Sequence, residues 1–67
     1  MEASLDNVLT YIFTNTMEQE GYKEIVLAGI TFREDKFGRY FDLPPSEWNI
    51  DALTEAIGQK ILEIQTE

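Results

Sequence analysis

The chain of 67 residues contains no cysteine and no histidine, and only five of its residues are basic against 13 acidic ones. Each shortage excludes something. Without cysteine there is no disulfide to staple the fold and no mark of an oxidising compartment. Without cysteine and histidine no zinc site of the usual ligand set is available. The same absence removes Ser-His-Asp and Cys-His nucleophile systems. The four glycines, at 21, 29, 38 and 58, are scattered, so no phosphate-cradling loop precedes a helix. No apolar run approaches the roughly 20 residues that span a bilayer, and the first residues lack a signal-peptide pattern. The expectation is a soluble, cytoplasmic, single small domain over residues 1–67 that uses no cofactor and no metal.

What is present is acid. The formal net charge is −8, with hydrophobic residues at 43%, enough for a folded domain and too many for a disordered one. The charge is uneven. Over residues 1–20, Glu2, Asp6, Glu18 and Glu20 stand without a base and give −4. Over 21–39, four bases meet three acids and give +1. Over 40–67, six acids face Lys60 alone and give −5. Phosphate recognition requires clustered Lys and Arg, so direct nucleic-acid binding is not expected. An anionic membrane is repelled for the same reason. A basic protein partner is the complementary expectation.

Leu5, Val8, Leu9, Ile12, Phe13, Thr16 and Met17 recur at helical spacing, which predicts an amphipathic helix over 4–20. Ser4 suits its N-cap and Gly21 its stop. Residues 22–33 are rich in β-branched and aromatic side chains. Val26, Ala28, Ile30 and Phe32 alternate onto one face, which predicts one strand, and Ile25 and Leu27 then lie on the other face. Asp35 to Gly38 form a turn. A second strand over 39–43 returns, with Glu34 opposite Arg39, Phe32 opposite Phe41 and Ile30 opposite Leu43. Pro44-Pro45 ends it, since proline donates nothing to a ladder. Asn49 suits the N-cap of a second helix over 50–65, with Trp48 and Leu53 as a hydrophobic staple. Its apolar stripe is Ile50, Leu53, Ile57, Ile61 and Ile64.

The predicted class is α+β, a small α-β-β-α unit with two amphipathic helices on an antiparallel hairpin. Two strands are marginal in water. Ile25 and Leu27 would remain uncovered, and a homodimer is one way to cover them.

The catalytic inventory is thin. Asp42, between Phe41 and Leu43, is the best general acid–base candidate, yet strand alternation alone places it outward beside Tyr40. Glu34-Asp35 and Asp51 with Glu55 are the nearest approaches to a cation site, and their loops are too short to wrap an ion. The chain is therefore read as non-enzymatic. Three features are suited to binding. The turn carries Lys36, Phe37 and Arg39; an apolar ring at a tip suits a partner pocket, unless it folds back under a helix end. Asp51, Glu55, Gln59 and Glu63 form a row on the second helix, about 6 Å apart from the helical rise, close to the spacing of phosphates along a nucleic-acid strand. The ordinary alternative is a solvated helix face. Tyr11, Leu62, Tyr22 and Tyr40 add apolar surface off the main stripes.

The segment 32–44, followed by 53–58, loosely resembles the strand–turn–strand and helix start of HicB-type antitoxins. It lacks the further strand such proteins place before the helix, and the first helix lies outside their pattern, so no family is assigned. Small acidic inhibitors carried by phages, including anti-CRISPR and nuclease-inhibitor proteins, share this size and charge but no motif, which is analogy alone. The leading expectation is an acidic protein-binding or inhibitory module that docks on a basic partner and masks its nucleic-acid site. The alternative is a structural or accessory subunit, or a homo-oligomerisation domain.

Overall fold

A computed structural model of the chain describes residues 4–66. Helix α1 spans Leu5–Thr14, strands β1, β2 and β3 span Lys23–Leu27, Ile30–Asp35 and Gly38–Phe41, and helix α2 spans Ile50–Thr66. A single 3-10 turn at Pro45–Glu47 precedes α2. The class is α+β: two helices and a three-stranded antiparallel sheet of order β1-β2-β3.

Helix α1 begins where Ser4 accepts the Asn7 amide on its Oγ at 3.2 Å. It is ten residues long, ending well before the Gly21 stop expected from sequence. The cause lies in its polar side chains. Thr10, Thr14 and Thr16 donate their hydroxyls to the carbonyls four residues earlier, and Asn15 donates its amide to the Tyr11 carbonyl. Such back-bonds compete with the helical ladder and weaken its last turn. Lys23 then caps the free end, donating from Nζ to the Phe13 carbonyl at 2.9 Å. Thr16 and Met17 fall outside the helix, and Met17 is exposed. Gly21 serves a tight turn with Glu20, both at positive φ, between the mutually bonded Gln19 and Tyr22.

The predicted strand over 22–33 is two strands. Ala28 and Gly29 have φ of 52° and 78° and form a two-residue turn with positive φ at both central positions. This is the turn whose twist matches a hairpin. Leu27 pairs with Ile30, Ile25 with Phe32 and Lys23 with Glu34. A two-residue turn puts Leu27 and Ile30 on the same face, so the alternation read through the turn reverses its sense in β1. Ile25 and Leu27 are buried in the core, and Val26 points outward, 61% exposed. The uncovered Ile25 and Leu27 that motivated a second chain are covered by the chain's own helices.

Across the second turn Phe32 pairs with Phe41, Arg33 with Tyr40, Glu34 with Arg39 and Asp35 with Gly38. Strand β3 begins at Gly38 and ends at Phe41, so the Ile30–Leu43 pair lies beyond the ladder. The Asp42 amide still donates to the Thr31 carbonyl at 3.2 Å, and the Thr31 amide donates to Asp42 Oδ1 at 2.9 Å. The aspartate thus ends the strand by replacing its own carbonyl with its side chain. Helix α2 starts on Asn49, whose Oδ1 accepts the Ala52 amide at 3.1 Å. Trp48 donates its Nε1 to the Leu43 carbonyl at 2.6 Å, fixing the indole over the sheet.

The core is one cluster of Leu9, Ile12 and Phe13 from α1, Ile25, Leu27, Ile30 and Phe32 from the sheet, and Leu53 from α2. Complete burial of side chains such as Phe13, Phe32, Ile12 and Ile30 contributes about 1.5–3 kcal/mol each. Both helices pack on each other and on β1. Ile50, expected in the apolar stripe of α2, is exposed at its first turn.

Candidate functional site

The residues singled out from sequence fall into three places. The first is the β2–β3 turn. Asp35 Oδ1 accepts the amides of Phe37 and Gly38 at 2.8 and 3.1 Å, which holds the turn closed. Phe37 projects from it, 80% exposed, with Lys36 Nζ 5.2 Å from its ring centre. Of the two readings of Phe37, the ring stands free of the helix ends.

Arg39, expected beside it as a binding residue, is turned inward. Its Nη2 and Nε reach Glu34 Oε2 at 2.6 and 3.2 Å, and its Nη1 reaches Asp6 Oδ1 at 2.6 Å. Nη2 also donates to Thr10 Oγ1 at 3.2 Å, and the guanidinium lies 5.2 Å from the Phe13 ring centre. Its side chain is 22% exposed. Arg39 clamps α1 to the sheet.

The second place is the outward face of α2. Asp51, Glu55, Gln59 and Glu63 are all exposed there, and Leu62 stands among them. Among the described residues the ion pairs are Arg33–Glu24, Arg39–Asp6 and Arg39–Glu34, so none uses an acid of α2. Lys23 is spent on the end of α1. Three of the five cations are thus committed inside the chain, and α2 keeps Lys60 as its one base beside acids that make no ion pair among the described residues. Tyr11 is exposed on α1.

The third place is the outer face of the sheet, which no helix covers. Tyr22 and Arg33 stack there, the guanidinium 4.3 Å from the ring centre. Arg33 is held above its ordinary pKa by its hydrogen bond to Glu24. Tyr40 donates to Asp35 Oδ1 at 3.3 Å. Its hydroxyl is raised above its ordinary pKa by partial loss of solvent, and then by the charge and hydrogen bond of Asp35. Asp42 is exposed and engaged with the Thr31 amide, an arrangement that builds the end of a strand.

One feature was not foreseen. Because α1 and α2 pack toward β1, the inner side of β3 is left open beside the first half of α1. Leu5, Leu9, Phe32, Phe41 and Trp48 line a groove of about 330 Å³ there, with Asp6 and Arg39 at its polar end. Phe41 is 47% exposed and sits edge-on to Trp48 and Phe32, with ring centres 5.2 and 6.3 Å away. Sequence places Phe41 opposite Phe32 and so suggests burial. The exposure follows from which strands the helices cover, and that is a long-range property.

Among the described residues no helix is long and apolar enough to cross a membrane, and no group of acids is gathered in a way that holds a metal ion. Comparison of the chain with protein-family models, curated proteins and solved structures returned no match.

Proposed function

We propose that the chain is a non-enzymatic protein-binding module that docks on a basic partner surface through the outward face of α2. The carrying observation is the row Asp51, Glu55 and Glu63, exposed on a helix that carries Lys60 as its one base, with none of the three acids in an ion pair among the described residues. A face with its carboxylates free in water loses little by exchanging solvent for a partner's lysines and arginines, and its field speeds encounter. The row's spacing of about 6 Å matches the interval of a phosphate backbone. This favours a partner whose basic cleft serves nucleic acid, which the module would mask. Leu62, 60% exposed beside Glu63, supplies an apolar contact on that face.

The test is capture of partners from the native cell by the wild-type chain and by a Glu55→Lys, Glu63→Lys variant, at low and high salt. The module should retain proteins at low salt that are released at high salt and that the variant does not retain. Retention unaffected by charge reversal contradicts the proposal. A second reading, an accessory subunit joined through apolar surface, is favoured by exposed Phe37 and by Tyr11. It predicts association that salt does not weaken and that Phe37→Ser abolishes.

A further inference from the structure

We propose that the free edge of β3, together with the groove beside it, receives an extended basic peptide segment of the partner as a fourth strand. The basic character of the segment rests on the reading of α2 given above. The edge and groove stand on geometry alone.

The backbone register sets the edge. Asp42 bonds to Thr31 through its amide, so hydrogen-bonded positions along β3 are Asp42, Tyr40 and Gly38. The alternate residues, Arg39 and Phe41, direct their amides and carbonyls away from β2. Strand β3 is last in the sheet order, so those groups face solvent with no protein strand beyond them. Neither proline nor a bulge interrupts β3; Pro44 and Pro45 come only after it.

The same two residues place their side chains on the inner face, Arg39 clamped to α1 and Phe41 at the groove. A strand added about 4.8 Å beyond β3 would continue that inner face. Every second side chain would lie over Phe41, Trp48 and Leu5, and an apolar one would fill the groove and complete the ring cluster. This is strand addition with pockets reading alternate residues.

Charge selects the occupant. Asp6, Glu34 and Asp35 gather with Arg39 and Lys36 at one end of the edge, and Asp42 and Glu47 follow Phe41 in sequence at the other. Five acids against two bases border the edge, so a segment with lysine or arginine around its apolar anchor is complementary. A second copy of the chain, with its own −8, is repelled.

The experiment selects peptides from a random library displayed on phage against the full chain and maps the strongest binder by two-dimensional amide NMR. The proposal expects enrichment of alternating apolar and basic residues, with the largest shifts at the amides of Arg39 and Phe41 and the Trp48 indole. Phe41→Pro removes, together with the ring that lines the groove, an amide that the protein's own ladder does not use, and should weaken binding about tenfold or more. Should that variant fail to fold, methylated peptide amides give the same answer. Methylation in one alternating phase should weaken binding at least about tenfold and in the other should not.

Absence of enriched binders overturns the proposal, as does equal sensitivity to both methylation phases. Shifts confined to Asp51, Glu55 and Glu63 overturn it and leave the acidic-face reading standing. Shifts at Arg39 and Phe41 that are unchanged by Glu55→Lys and Glu63→Lys support the edge independently of the α2 reading. Concentration-dependent broadening at Arg39 and Phe41 without peptide, with a dimer mass, would overturn the proposal by giving the edge to a second copy.

Discussion

Replacing Arg39 by methionine keeps the aliphatic stem and deletes the fork that joins α1 to β2 and β3. Two ion pairs disappear with it. The pair with Glu34 is partly buried, at 22% and 31% side-chain exposure, and is made by two guanidinium nitrogens on one carboxylate oxygen. Charge-assisted bonds of this kind contribute about 1.5–3 kcal/mol when desolvated. Water still reaches Glu34, so the lower end of that range applies. The pair with Asp6 has an acid that is 80% exposed, and it adds about 0.5 kcal/mol. The total is about 2 kcal/mol. A domain of this size moves by about 4–8 °C per kcal/mol, so the midpoint of thermal unfolding should fall by about 8–16 °C. Arg39→Lys keeps the charge and loses the fork, and should fall by about half as much. Far-ultraviolet circular dichroism of thermal unfolding, repeated at high salt, measures both. A fall of less than about 2 °C for Arg39→Met would refute the claim that this clamp holds α1 on the sheet. Methionine and lysine variants with equal melting points would refute the role of the fork.

Other substitutions test other parts of the fold. Ala28 sits at a φ of 52°, a region alanine disfavours, so Ala28→Asn, which tolerates it, should stabilise by about 0.5–1 kcal/mol in urea unfolding. Ile12 has no exposed surface, and Ile12→Ala should cost about 2–5 kcal/mol in the same assay, a large share of the stability of so small a chain. Lys23→Met removes the donor to the end of α1 and should cost about 0.5–1 kcal/mol, with loss of helical signal before loss of sheet signal. Tyr40 should ionise above the ordinary tyrosine value, and Asp35→Asn should bring it down by removing a neighbouring anion; tyrosinate absorbance follows both. With the folded value raised, the unfolded chain loses its proton first, so this contribution is full below the unfolded pKa and fades as the pH rises through the folded one.

The helical starts were legible because their signals are local. Ser4 and Asn49 accept amides three residues on, as short side-chain oxygens at an N-cap do. The pairing of Phe32 with Phe41 and Glu34 with Arg39 was legible because Asp35 and Gly38 mark their turn. Ala28-Gly29 carries no such mark. Alanine seldom supplies a positive φ, and the flanking residues are apolar on both sides, so the turn reads as the middle of a strand. One missed turn inverted the facing of β1, and from that came the spurious need for a partner chain over Ile25 and Leu27. The end of α1 was misplaced because apolar spacing continues to Met17 while Thr14, Asn15 and Thr16 draw on the carbonyls beneath them. The inward turn of Arg39 and the open side of β3 depend on where two helices settle on three strands, which no local pattern records.

The central claim is that partners meet this chain on its acidic helix and at the free edge of β3. Amide NMR of the chain with a partner captured at low salt tests it most directly, because every described backbone amide reports at once. The account predicts shifts at Asp51, Glu55, Leu62 and Glu63, and at Arg39 and Phe41, all diminishing as salt is raised. Shifts confined to the outer face of the sheet, at Glu24, Val26, Thr31 and Tyr40, would contradict it.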